Sequence, residues 1–129
     1  KLRIVMIFGL VAMTIRYLSF YAGGVIDQNW MFFIGILIHG LIFGFFYVGG
    51  QIYIEKKSPA PLKSQAQGFI FLVTFGAGLL VGNLLCGELI QLYTNDNGYN
   101  WDAIWGITTI SSIVLLVFFV LFFKTENDV

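Results

Sequence analysis

Residues 30–54 read WMFFIGILIHGLIFGFFYVGGQIYI, with no lysine, arginine, aspartate or glutamate. A helix of 25 residues is roughly 37 Å long, which is enough to cross a hydrocarbon layer of about 30 Å with some tilt. The stretch therefore predicts a transmembrane helix, and His39 is the single histidine in it.

His39 lies near the middle of this predicted helix. A polar ring without a partner at that depth is energetically unfavourable. Phe43 and Tyr47 follow at i+4 and i+8, on the same helix face. An imidazole beside aromatic rings suits a planar, polar, heterocyclic solute. The same residues also fit a histidine bound to a neighbouring helix among lipid-facing aromatics, and the residues alone leave both interpretations open.

Composition places the chain in a membrane. Hydrophobic residues make up 58%, charged residues only 11%, and the mean hydropathy is +0.86; a soluble domain has about 25% charged residues. We predict an all-α membrane protein with the lipid bilayer as a partner. Residues 1–129 are expected to form a single transmembrane bundle, with four helices over about 4–22, 30–54, 66–93 and 101–123.

The basic residues indicate the orientation in the membrane. The loops at 23–29 and 94–100 contain no lysine or arginine. Cytoplasmic segments are enriched in these residues, so we expect both termini and the middle loop to be cytoplasmic. Six basic residues lie on that side of the four helices: Lys1, Arg3, Lys56, Lys57, Lys63 and Lys124.

Arg16 is the seventh basic residue and lies within the first predicted helix. Its stem is long enough to carry the charge toward the polar end at Gly23, which is one interpretation. The alternatives are a buried partner for a carboxylate elsewhere in the bundle and a contact to the oxygens of a solute.

The sequence lacks the residues that several kinds of chemistry require. Hydrolase motifs, a phosphate-binding glycine loop and paired carboxylates at helical spacing are missing from the sequence. With one histidine and one cysteine, Cys86, we expect neither an enzyme nor a bound metal or cofactor. A basic patch for nucleic acid is also missing.

Three functions remain from the residues alone. They are part of a secondary transporter, a four-helix multidrug exporter acting as a dimer, and a structural membrane subunit with no solute path. The small exporter should carry a carboxylate in its first helix. Here that helix carries Arg16 and no acid, which argues against it.

Several short motifs follow one another along essentially all 129 residues. These are Arg16, His39-Gly40, Phe43, Phe45-Phe46, Gly50-Gln51-Ile52-Tyr53, Ser64-Gln65-Ala66-Gln67-Gly68, Thr74, Gly76, Gly82, Gly87, Trp101 and Trp105. In their order and spacing, the chain resembles the C-terminal third of a nucleoside:proton symporter of the major facilitator superfamily.

This resemblance implies helices nine to twelve of a twelve-helix transporter in a bacterial inner membrane. The remaining helices of the full-length transporter would be partners, a nucleoside the solute and a proton the coupling ion; sugars are carried by other branches of the superfamily. It also implies that His39 and Phe43 bind the substrate. His39 stands where better-known members have tyrosine, and Gly44 stands where the family often has aspartate.

Overall fold

The computed structural model describes residues 2–96 and 98–124. Within these residues, four continuous helical stretches are long and apolar enough to cross a membrane: Leu2–Val25, Trp30–Lys57, Ala60–Leu92 and Trp101–Phe122. The predicted fold class, an all-α membrane protein with four transmembrane helices, is confirmed. The placement of residues 1–129 in a single bundle stays a prediction.

Two of the four stretches contain a π-helical turn. The first stretch is α1 (Leu2–Val25); the second consists of α2 (Trp30–Ile42), a π turn (Phe43–Tyr47) and α3 (Val48–Lys57). The third consists of a 3-10 turn (Ala60–Leu62), α4 (Lys63–Phe71), a π turn (Leu72–Gly78) and α5 (Leu79–Leu92); the fourth is α6 (Trp101–Phe122). Turns of this kind occur often at functional sites, and the first of them begins at Phe43.

The ends of the helices differ from the predicted bounds by a few residues. The largest difference is at the start of the third stretch, which begins at Ala60 instead of residue 66. Pro59 and Pro61 do not delay this helix, because the first helical turn needs no backbone N–H and therefore tolerates proline. Lys1 and residues 125–129 lie outside the described residues.

The third loop forms a small hairpin. Strand β1 (Thr94–Asn95) pairs antiparallel with β2 (Gly98–Tyr99). Gly98 has a φ of 112°, a conformation that glycine adopts without the steric strain of a side chain. Asn97, at the tip, lies outside the described residues.

The residues up to Gly49 and those from Asn100 onward form one compact unit. In this unit α1 packs against the second stretch in an antiparallel register: Met6 lies opposite Gly49, Gly9 opposite Phe46 and Phe20 opposite Gly35. The approach is closest at Gly9, where a Cβ atom would lie 2.7 Å from the backbone nitrogen of Phe46. Glycine at these positions lets the two helices touch along their length.

Helix α1 also packs against α6 in the same unit. At one end the Nη2 of Arg3 donates a hydrogen bond of 2.6 Å to the carbonyl of Val120. Toward the other end, the rings of Phe20 and Trp105 lie 4.8 Å apart. The Oδ1 of Asn100 accepts a hydrogen bond of 3.1 Å from the backbone N–H of Ala103 and so caps α6. Of the residues that the structure describes, the buried apolar ones are Met6, Leu10, Ala12, Phe20 and Ile104.

The second compact unit covers Gly50–Tyr99. It contains most of α3, the whole third stretch and the hairpin. The Nζ of Lys63 and the Oε1 of Glu55 lie 3.8 Å apart across the loop that joins the two helices. Because both side chains are about half exposed, this ion pair contributes no more than about 1 kcal/mol.

A candidate solute site around His39

His39 and Phe43 lie one turn apart on an exposed face of the second stretch. Phe43 is 48% exposed, and its ring lies 4.8 Å from that of Tyr47, between centroids. The three residues follow one another at four-residue intervals, and we call them the aromatic strip. The structure thus places the two predicted substrate-binding side chains on one face; their contact with a substrate stays a prediction.

Arg16 is the hydrogen-bond partner of His39. The Nη1 of Arg16, in α1, lies 2.8 Å from the Nδ1 of His39. This contact extends the antiparallel register of Gly9 with Phe46 and Phe20 with Gly35. The interpretation of Arg16 as a side chain that reaches the membrane boundary is therefore wrong, since the guanidinium is bound to the facing helix. Neither of the two alternatives had named a histidine as its partner.

Aromatic rings hold the guanidinium on its other sides. The Cζ of Arg16 lies 5.4 Å from the centroid of the Phe20 ring and 5.7 Å from that of Tyr17. Such cation–π contacts contribute about 0.5 to 2 kcal/mol each. Phe20 is buried and packs on Trp105, so its position is fixed by α6. The side chain of Arg16 is therefore held between an aromatic surface and the imidazole.

The hydrogen bond also determines where His39 carries its ring hydrogen. A guanidinium has five N–H donors and no acceptor, so the Nδ1 of His39 must be the acceptor. A neutral imidazole that accepts at Nδ1 carries its hydrogen on Nε2. Within residues 2–96 and 98–124, no hydrogen-bond partner of Nε2 is found. The aromatic strip therefore carries an N–H donor on the Nε2 of His39, one helical turn from Phe43.

The charge of Arg16 is not neutralised in this site. Among the described residues, no carboxylate lies within 4.0 Å of its guanidinium, and its buried Nε has no hydrogen-bond partner. The neutral imidazole accepts a hydrogen bond but supplies no negative charge. The site therefore combines a fixed positive charge, a directed N–H donor and an aromatic face.

The sequence did contain a signal for this pair. Gly9, Arg16 and Gly23 are spaced seven residues apart, and so are Phe32, His39 and Phe46. Residues at seven-residue intervals follow the seam between two packed helices. Arg16 shares its face with two glycines that allow close packing, which indicates a contact with a neighbouring helix, not with water or lipid.

Comparison with known proteins identifies the family of this chain. The nucleoside H+ symporter family matches residues 1–128. The chain belongs to this family. The relatives include the nucleoside permease NupG of Escherichia coli, 27% identical over 95% of this chain, and the xanthosine permease of the same organism, 28% identical over 98%. YegT of Escherichia coli is 32% identical over 96% of the chain.

Solved structures show the same fold. The crystal structure of the nucleoside transporter NupG superposes on 97% of this chain with a TM-score of 0.84 and 26% identity. Its D323A mutant covers 95% with a TM-score of 0.88 and 27% identity. The major-facilitator fold and the membrane location are thus established.

The chain spans only about a third of these relatives, 30–31% of their length. The relatives are named for transport, which is in keeping with the expectation that the chain is not an enzyme.

Proposed function

We propose that the intact protein imports nucleosides by proton symport with alternating access, and that this chain supplies helices nine to twelve of its C-terminal half. The remaining helices of the full-length transporter complete the solute path, and no cofactor takes part. The observation that carries the proposal is the exposed Phe43 one turn from His39, whose Nδ1 is occupied by Arg16, on one face of a membrane-spanning helix.

This face offers both kinds of contact that a nucleoside needs. The flat base stacks on Phe43, and a polar atom of the base or ribose accepts a hydrogen bond from His39. Stacking of a base on an aromatic side chain contributes about 1 to 3 kcal/mol. The family match over residues 1–128 supports nucleosides over sugars, which have no flat aromatic ring to stack.

The experiment is uptake of radiolabelled uridine by cells that express the complete gene. We expect saturable uptake that unlabelled adenosine reduces, that a panel of sugars does not reduce, and that a protonophore abolishes. Cells carrying the empty vector are the control. Uptake that sugars inhibit and nucleosides do not would assign the protein to another branch of the superfamily. Saturable uridine uptake that the protonophore does not reduce would contradict proton coupling but not nucleoside transport.

We propose that the protein lies in the bacterial inner membrane with both ends of this chain in the cytoplasm, because the basic residues lie on one side of the helices. A matched pair of cysteine variants tests this orientation in a Cys86→Ser background. A membrane-impermeant maleimide added to intact cells should label Asp96→Cys, in the hairpin loop, and should leave Lys57→Cys unlabelled until the membrane is opened. The reverse pattern would invert the orientation.

A further inference from the structure

We propose that Arg16 is a positioning residue of the solute site: it holds His39 so that Nε2–H faces the solute, and the site therefore recognises a hydrogen-bond acceptor. This inference rests on the proposed nucleoside transport. It goes beyond it by adding a residue of α1 that touches no solute and by specifying the polarity of the recognised group.

The geometry restricts both the place and the rotation of the imidazole. The Nη1 of Arg16 is 2.8 Å from Nδ1, and the guanidinium itself is held against the rings of Phe20 and Tyr17. Phe20 is buried and fits against Gly35 of α2, so the ring on which the guanidinium rests is fixed by the packing of the two helices. A ring held at one nitrogen by a fixed donor has its other nitrogen directed away from that donor.

The direction of the hydrogen bond sets what the site accepts. With Nδ1 occupied by Arg16, the other ring nitrogen, Nε2, carries hydrogen and can only donate. A solute group that can only donate, such as an exocyclic amine, therefore finds no acceptor there. The recognised group is a hydrogen-bond acceptor, which in a nucleoside is a carbonyl oxygen or unprotonated nitrogen of the base or a hydroxyl oxygen of the ribose.

Two substitutions of Arg16 in the complete transporter separate the donor from the bulk of the side chain. Arg16→Lys keeps a cationic donor, and Arg16→Met keeps an apolar stem without a donor. We expect Arg16→Lys to keep the KM for uridine within about 2-fold, whereas Arg16→Met raises it by about 3- to 10-fold, the range expected for one lost hydrogen bond. The maximal rate per molecule of transporter in the membrane should change little.

Arg3→Met is the matched control. Arg3 lies in the same helix, also has a buried Nε without a partner, and also donates across to another helix, to the carbonyl of Val120. We expect this variant to keep the KM of the wild type. If both methionine variants lower only the amount of transporter or its maximal rate, Arg16 has a structural role and the proposal is overturned.

Uridine analogues that each lack one oxygen identify the recognised acceptor. The 2′-, 3′- and 5′-deoxy compounds test the ribose, and analogues without a single base carbonyl test the base. One of these analogues should bind more weakly than uridine to the wild type and to Arg16→Lys. For Arg16→Met, the difference between that analogue and uridine should be much smaller. Equal losses in the wild type and in Arg16→Met for every analogue would contradict the proposal.

A spectroscopic measurement tests the ring directly and needs no transport. In the purified full-length protein labelled with 15N-histidine, the His39 signals are those missing from the spectrum of His39→Gln. We expect Nδ1 without hydrogen and Nε2 with hydrogen in the wild type and in Arg16→Lys. Hydrogen on Nδ1 in the wild type would overturn the proposal.

The two proposals fail in different ways. If the wild type takes up no nucleoside, the proposed function fails, although the spectroscopic result for His39 can still stand. If the wild type takes up uridine and Arg16→Met has an unchanged KM, only the positioning role of Arg16 fails. Should Arg16→Met not accumulate in the membrane, Arg16→Lys and the spectrum of the wild type decide the question.

Discussion

The two arginines of α1 are held in different ways, Arg3 in the first turn of the helix and Arg16 just past its middle. Arg3 donates to a backbone carbonyl, that of Val120, and Arg16 donates to a side chain, that of His39. A carbonyl oxygen always accepts, whereas an imidazole nitrogen accepts only when it carries no hydrogen. Arg3 can therefore stabilise packing alone, whereas Arg16 also fixes which nitrogen of the His39 ring carries hydrogen.

The largest effect is expected from Gly9→Ala, where α1 packs most closely against the second stretch. The new Cβ would lie 2.7 Å from the nitrogen and 2.8 Å from the Cβ of Phe46. Because the nearest atom belongs to the backbone, the facing helix must move, and we expect the free energy of unfolding to fall by about 3 kcal/mol. Thermal unfolding of the purified full-length transporter measures this loss.

Gly106→Ala, in α6, is the control for this substitution. A Cβ there would lie 3.4 Å from the ring of Tyr21, an ordinary contact, and alanine favours a helix over glycine by about 1 kcal/mol. We expect this variant to be as stable as the wild type or more so. Similar destabilisation by both substitutions would show that α1 and the second stretch are not in the close register described here.

In the aromatic strip, Phe43→Ala should weaken transport without weakening the fold. The ring is 48% exposed, so little packing is lost, but a stacking surface for the base disappears. We expect a loss of about 2 kcal/mol in binding, seen as a KM for uridine about 30-fold higher. Phe33→Ala is the control, because Phe33 is also exposed but lies off the aromatic strip. An unchanged KM in Phe43→Ala would show that this helix face is not part of the solute site.

His39→Gln should have a smaller effect, because glutamine repeats the hydrogen-bonding pattern of the ring. Its amide oxygen can accept from Arg16, and its NH2 group can donate to the solute. We expect a KM for uridine within about 3-fold of the wild type, which corresponds to less than one typical hydrogen bond.

The same variant tests whether His39 carries the coupling proton. The observed contact requires Nδ1 without hydrogen, so we expect accumulation of uridine by His39→Gln to remain sensitive to a protonophore. Uridine uptake that no longer responds to the protonophore would make His39 the proton carrier. His39→Ala, which removes both hydrogen bonds, is the control and should raise the KM more than His39→Gln does.

The four membrane helices could be predicted from the sequence because length and apolar composition determine them locally. The ends were harder, since the prolines at 59 and 61 stop a preceding helix and also start a following one. The π turns at Phe43–Tyr47 and Leu72–Gly78 had no recognised signal: they depend on how a backbone accommodates one extra residue, which side-chain patterns do not show.

The position of His39 was predictable, but its partner was not. An unpaired imidazole in the membrane is unfavourable, so a partner on a neighbouring helix could be expected, but Arg16 was not predicted to be that partner. The choice of partner depends on the register of two helices, which the glycines at 9 and 35 set by close contact. The spacing of Gly9, Arg16 and Gly23 indicates the packing face only when it is compared with the same spacing in the facing helix.

The smallest effect is expected from Arg3→Met. The guanidinium of Arg3 donates to a carbonyl in the last turn of α6, where a cation is stabilised by the helix dipole by about 0.5 kcal/mol. We expect a small fall in the unfolding temperature and an unchanged KM for uridine, with Arg3→Lys close to the wild type in both. The Val120 carbonyl lies in the last turn of α6, where carbonyls have no partner within their own helix. The loss of its donor is confined to that end of α6, so nothing in the aromatic strip changes. If the KM rises in Arg3→Met as much as in Arg16→Met, both arginines act on transport through packing alone. The two arginines of α1 would then not differ in their roles.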